Sequence, residues 1–310
     1  MFFKREEINK NNMRGLCVGV DELIAQRKFL PYIKQRHNNI TSYQAGDIRS
    51  AFKGRGMELE EVRSYGYGDD VRDIDWRVTA RKGDTYTKVF SEEKDREVYV
   101  VLDVSPYMLF GTKKELKSVS AAKLTALLGW QSLANKDRFG LILFDGYETK
   151  MFKPQNNQKN LMAIFNAISE TSSAILSYKY NPNKLKDLSE TLRLLQYRTK
   201  GKAMIFVISD YNNISDIAKR TLVALSRRSQ LYCIHVYDII EEYAPADGRY
   251  MAEYRGEKVT FETFSNGFKD TYYQHFLQKR KDMENFCKRI KSSYLSIRTD
   301  RPLYKQLKII

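Results

Sequence analysis

The sequence predicts an α/β protein built on a mostly parallel sheet with helices on both faces. Three observations carry that prediction. Short continuous apolar runs recur at 98–103, 138–144, 203–209 and 231–237, the pattern of strands buried on both sides. Amphipathic stretches of helical length alternate with them, at 118–134, 158–169, 184–197, 214–228 and 271–291. Two of the apolar runs close on an acidic residue, Asp103 and Asp210, where an open α/β sheet places its ligand loops.

Each element follows in order. Val98–Asp103 is the first inner strand, and the helix after it carries Val119, Ala122, Leu124, Leu127 and Leu128 as apolar positions. Arg138–Phe144 is the next strand. Asp145-Gly146 signals a turn, so 147–153 is expected to return as an antiparallel edge. Residues 203–209 and 231–237 are further buried strands, and Tyr294–Arg298 is the last. The irregular segment 241–268 is expected to hold a hairpin over Tyr250–Phe261. Upstream, residues 1–45 read as polar and helical, with Leu23, Ile24, Phe29, Leu30 and Ile33 on one face. Residues 46–94 are dense in Gly, Asp and Arg and read as short strands and turns. The expected division is an N-terminal segment 1–94, an α/β domain 95–300 and a tail 301–310.

Composition narrows the function classes. The chain has 310 residues, 42% hydrophobic and 29% charged, enough for a large core. No apolar run reaches the ~18 residues of a membrane span, and the charged start lacks a signal-peptide stretch, so a cytoplasmic location is expected. Cys17, Cys233 and Cys287 are far apart and form no CxxC pair, which argues against a disulfide framework or zinc knuckle. His235, inside an apolar strand, reads as a satisfied core residue, and His275 as solvated. No GxxxxGK[ST] or GxSxG occurs, and Gly54-x-Gly56 lacks the third glycine of a dinucleotide fingerprint. The net charge of +15 is concentrated at the ends: residues 276–310 hold ten basic and three acidic side chains. Lys279, Arg280 and Lys281 could contact an acidic surface or nucleic acid, with solubility as the plain alternative.

Two patterns point to a site. Asp103-Val-Ser105-Pro-Tyr107 and Asp210 put carboxylates and a hydroxyl at adjacent strand ends, an oxygen set that suits a hard cation, though an Asp there also serves as a cap. Between Gly54 and Arg81, Asp69, Asp70, Asp73 and Asp75 interleave with Arg72, Arg77 and Arg81 around Trp76. An Asp73–Arg77 pair at helical spacing, with Trp76 as an apolar plug, would form a network pinning the N-terminal segment to the α/β domain; a recognition surface is the other reading.

These residues carry a resemblance. The 54–81 segment resembles the signature of the family called domain of unknown function 58, and Asp238-Ile-Ile-Glu241 is similar to that family's acidic pair after a late strand. Asp103, Ser105 and Asp210 resemble the metal-ion-dependent adhesion site of von Willebrand factor A domains. There Tyr107 stands in place of a serine and Asn183 in place of a threonine. The resemblance implies a von Willebrand factor A-like fold and at most weak Mg²⁺ or Mn²⁺ binding through Asp103, Ser105 and Asp210. It also implies a non-enzymatic adaptor or co-chaperone-like role beside a MoxR-type AAA+ ATPase, with Tyr107 and Asn183 on the docking rim and no small-molecule substrate. The alternatives are a basic module for nucleic acid or an acidic surface, and a metal-dependent hydrolase built on Asp103 and Asp210.

Overall fold

The structure, a computed structural model, describes residues 15–32, 57–92, 96–177, 181, 184–199, 202–212, 214–254 and 257–307. Asn183, Ile33 and the Gly54–Gly56 start of the motif lie outside these residues. The chain forms two units, one from the described residues 57–92 and one from 15–32 together with 96–307.

The segment expected over 1–94 is therefore divided: its end near residue 94 coincides with the end of the small unit, but residues 15–32 belong to the large one. Helix α1 (Val20–Ala25) explains why. Its Leu23 is fully buried, and the indole of Trp130 donates to the Leu23 carbonyl at 3.2 Å. Val18 N donates to Ser172 Oγ at 3.2 Å, and the Arg27 guanidinium lies 5.2 Å from the Trp130 ring. An apolar face this well matched to two later helices is inseparable from their core.

The small unit contains β1 (Met57–Ser64), α2 (Trp76–Lys82) and β2 (Tyr86–Glu92), with β1 and β2 paired antiparallel. The large unit continues with β3 (Glu97–Asp103), α3 (Lys117–Ala134), β4 (Arg138–Phe144), β5 (Thr149–Gln155), α4 (Gln158–Ile175), α5 (Ser189–Arg198) and β6 (Met204–Ser209). It is completed by α6 (Asp216–Ser226), β7 (Gln230–Tyr237), α7 (Ile239–Glu242), β8 (Arg249–Tyr254), β9 (Glu257–Glu262), α8 (Asn266–Arg289), β10 (Ser293–Arg298) and α9 (Leu303–Gln306).

Six strands form the central sheet in the order β10-β7-β6-β3-β4-β5. All neighbours are parallel except β4 and β5, the antiparallel edge. Strand alternation divides the core between two faces. Val100, Leu102, Leu141, Leu143, Phe206 and Ile208 pack with α3 and α4 on one side. Tyr99, Val101, Ile142, Ile205, Val207 and Cys233 pack with α5, α6 and α8 on the other. Helix α3 is buried on nearly its whole circumference, as a helix wedged between sheet, α1 and α4 must be. Gly129 allows its contact with α4, since a Cβ there would sit 2.6 Å from Leu161 Cδ1.

The hairpin expected over 250–261 is β8–β9. The segment 301–310 is not a free tail over its described part. Tyr304 stacks on Phe29 at 4.8 Å, Leu307 is buried, and the Gln306 side chain accepts from Arg298 N and donates to Arg298 O.

Candidate functional site

The sheet order places β3 beside both β4 and β6, with the chain running to one side after β3 and to the other after β6. The switch point of the sheet thus lies between the carboxyl ends of β3 and β6. Asp103 ends β3 and Asp210 follows β6 directly, so the structure brings these two predicted residues together. Asp238 follows β7, the next strand.

Asp103 is buried and held by two hydroxyl-bearing neighbours. Ser105 N donates to its Oδ1 at 2.9 Å and Ser209 Oγ to its Oδ2 at 2.6 Å. Burial and the nearby charge of Asp210 push its pKa up to about 6. Ser105, also buried, leads into the 3₁₀ turn Pro106–Met108, on which Tyr107 is half-buried and Met108 fully buried.

The residue that organises the cluster was not among those singled out in the sequence. Lys117, the first residue of α3, is 2% exposed, and its Nζ lies 2.8 Å from Asp210 Oδ2 and 3.0 Å from Glu241 Oε1. Burial alone would discharge it, but the two carboxylates outweigh that and hold its pKa above the usual lysine value. Phe110 lies over the ammonium at 5.8 Å and accepts from Lys117 N through its carbonyl at 2.8 Å. Asn212 completes the bridge: its Nδ2 donates to Asp210 Oδ2 at 3.0 Å and its backbone N to Oδ1 at 3.1 Å.

The acidic pair Asp238 and Glu241 has a local reason. Asp238 caps α7 and Glu241 reaches back to Asp238 N at 2.7 Å, a capping box. The other oxygen of Glu241 is the one facing Lys117. Asp238 is fully buried and also receives Thr112 Oγ1 at 2.5 Å, Thr112 N at 3.1 Å and Thr299 Oγ1 at 2.7 Å. Burial favours its protonation, yet these donors together hold its pKa below the carboxylate norm.

This arrangement does not fit a divalent ion. Mg²⁺ needs about six oxygens at ~2.1 Å, some of them water. The position between Asp210 and Glu241 is taken by an ammonium, and each oxygen of Asp103 accepts one bond from inside the fold, from Ser105 or Ser209. Among the described residues, no group of three or more His, Cys, Asp or Glu side chains could hold a metal.

The 57–81 part of the second motif builds the small unit from caps. Asp69 accepts from Gly66 N at 2.8 Å and from Arg63 Nη2 at 2.7 Å. Asp70 caps a 3₁₀ turn, Val71–Asp73, by accepting from Arg72 N at 2.9 Å. Asp75 caps α2, accepting from Arg77 N and Val78 N at 3.0 and 3.2 Å, with Lys88 at 3.5 Å. The Val78 amide leads the causes that lower its pKa. Gly83 ends α2 with φ +84°. Two expectations change. Asp73 lies in the 3₁₀ turn and Arg77 in α2, so they do not share one helix. Trp76 is not a plug, being 68% exposed. Arg77, Ala80 and Arg81 are exposed with it, at spacings that give one face of α2, and Arg72 is exposed on the preceding turn.

The fold and this cluster define an α/β sheet protein whose switch point holds a buried lysine among carboxylates. The chain belongs to the DUF58 family: the model described as "Protein of unknown function DUF58" matches residues 61–282. It is similar to the uncharacterized protein Rv1480 of Mycobacterium tuberculosis, at 24% identity over 261 residues, covering 83% of this chain and 79% of that one. The uncharacterized protein Mb1516 of Mycobacterium bovis matches to the same extent. Among solved structures, a conserved hypothetical protein BatB from Bacteroides thetaiotaomicron aligns with 16% identity and a TM-score of 0.40, over 66% of this chain and 90% of that one. An aerotolerance-related membrane protein from Bacteroides fragilis aligns with 15% identity and a TM-score of 0.44, over 68% and 96%. Among the described residues, no helix is long and apolar enough to cross a membrane.

Proposed function

We propose that the protein is a non-enzymatic interaction module, a partner of a MoxR-type AAA+ ATPase. In this reading its large unit is a von Willebrand factor A-like domain that docks through the rim around Asp103, Ser105, Tyr107 and Asp210. The observation that supports it most is the internal commitment of the switch-point groups. Asp103, Asp210 and Glu241 each accept bonds from Ser209, Lys117 or Asn212 inside the fold. Such a cluster holds the shape and charge of a surface. A hydrolase on Asp103 and Asp210 gains no support, because Lys117 neutralises the second of them. The face bearing Trp76, Arg77 and Arg81 adds to the interaction reading, since exposed tryptophan and arginine are the residue types that anchor interfaces.

The test is affinity capture of the tagged protein from its native cell extract, with Mg²⁺ or with EDTA, at low and high salt. Recovery of an AAA+ ATPase that survives high salt, and is reduced by Tyr107→Ala, supports the proposal. Recovery only of nucleic acid or lipid that salt removes, and that neutralising Lys279 and Lys281 abolishes, transfers the function to the basic surface of α8, where both lysines are exposed.

A further inference from the structure

We propose that Lys117 is a tethered cation standing in the place of a metal ion, so that the chain itself supplies the charge around which the switch-point carboxylates assemble. The inference concerns the site's own charge balance and stands whether or not an AAA+ ATPase is the partner.

The geometry is that of an ammonium in a carboxylate site. Its contacts of 2.8 and 3.0 Å are N–H···O distances, well outside the ~2.1 Å of Mg²⁺–oxygen bonds. The charge is delivered from the first turn of α3, an 18-residue helix whose amino end adds partial positive charge of its own. The stem has no freedom to leave. Lys117 is nearly inaccessible, and its backbone is fixed to Phe110. An unpaired buried ammonium would be strongly unfavourable, and so would the buried Asp210 carboxylate beside Glu241 without it. The cation and its carboxylates, 93 and 124 positions apart in sequence, are therefore obligate partners.

The carboxylates that hold the lysine remain when it is truncated. Asp210 is 4% exposed and Glu241 22%, so truncating Lys117 leaves two carboxylates around a small space with a polar route to solvent past Glu241. Carboxylate oxygens completed by water are the ligand set of a hard divalent ion. Removal of the ammonium should convert a metal-indifferent site into one that binds Mg²⁺ or Mn²⁺.

The experiment is thermal unfolding and Mn²⁺ titration of the full chain, in wild type, Lys117→Ala and Lys117→Ala/Asp210→Asn. Wild type is expected to show the same Tm in EDTA, Mg²⁺ and Mn²⁺, and no saturable uptake. Lys117→Ala is expected to lose roughly 10 °C in EDTA and to recover part of it in millimolar Mn²⁺, with one ion bound. Adding Asp210→Asn should abolish that uptake. Saturable Mn²⁺ binding by wild type would overturn the proposal. So would a Lys117→Ala protein as stable as wild type and indifferent to cations. Should Lys117→Ala fail to fold, the wild-type titration alone decides.

Discussion

Thr112 and Asp238, 126 positions apart, are joined twice: the Thr112 hydroxyl donates to Asp238 Oδ1 at 2.5 Å and its amide to Oδ2 at 3.1 Å. The pair ties the loop entering α3 to the end of β7, and so fixes where Lys117 begins its reach. Thr299 and Ile240 N fill the remaining acceptor sites. Asp238→Ala strands these donors and should cost roughly 3 kcal/mol, whereas Thr112→Val, which keeps the amide bond, should cost about 1 kcal/mol. Urea unfolding at neutral pH measures both. Because the folded-state pKa of Asp238 is depressed, its contribution is full above the ordinary carboxylate pKa and is lost as pH falls below it.

Two groups near the switch point titrate with opposite sign. The folded-state pKa of Asp103 is raised to about 6, so the folded form takes up a proton first, and this group favours folding increasingly as pH falls from 7 toward 4. Burial lowers the pKa of His235 to about 4; its ring bonds Tyr294 Oη at 2.9 Å and stacks on Tyr237. The unfolded form then protonates first, so this group weakens folding as pH falls from 6.5 toward 4. Each effect is on the order of 2–3 kcal/mol at full extent. Asp103→Asn should therefore make the protein more acid-sensitive relative to wild type, and His235→Gln less so. Urea midpoints at pH 7.5 and 5 separate the two; parallel shifts in both variants would contradict the assignment.

Trp76 is exposed, so Trp76→Ala should change stability by less than about 0.5 kcal/mol. If its face of α2 meets a partner, the same variant should reduce partner capture several-fold. Calorimetry and capture on one preparation give both numbers.

Gly146 has φ +91°, and a Cβ there would stand 2.9 Å from Pro106 Cδ and Leu185 Cδ2 and 3.1 Å from Ser105 Cβ. Gly146→Ala should cost roughly 1–3 kcal/mol and displace the Ser105 loop. A Tm scan tests the first effect. Weaker capture at a temperature where the variant stays folded tests the second.

How far the sequence could be read depended on where each signal lives. The inner strands are legible because strands buried on both faces must be continuously apolar, and Asp103 and Asp210 are legible as breaks at the ends of such runs. The turn at Asp145-Gly146 and the edge strand after it follow from local turn chemistry. Lys117 was not legible, because it follows Lys113-Lys114-Glu115 and looks like one more solvated charge. The available signal was the helix it starts: positions 118–122 are small or apolar on every side, which leaves no solvent face for its first residue. The exposure of Trp76 is hidden for the reverse reason. Its acidic neighbours suggest a charged shell around an apolar centre, but Asp69, Asp70 and Asp75 are spent on capping local backbone amides, and the indole stands exposed beside Arg72, Arg77 and Arg81.

A charge carried on a side chain is inherited with the fold. It cannot be diluted, chelated or outcompeted by another ion, and it arrives in fixed ratio with every molecule made. The carboxylates around Lys117 would thus be balanced in the same way in magnesium-rich and in magnesium-starved cells.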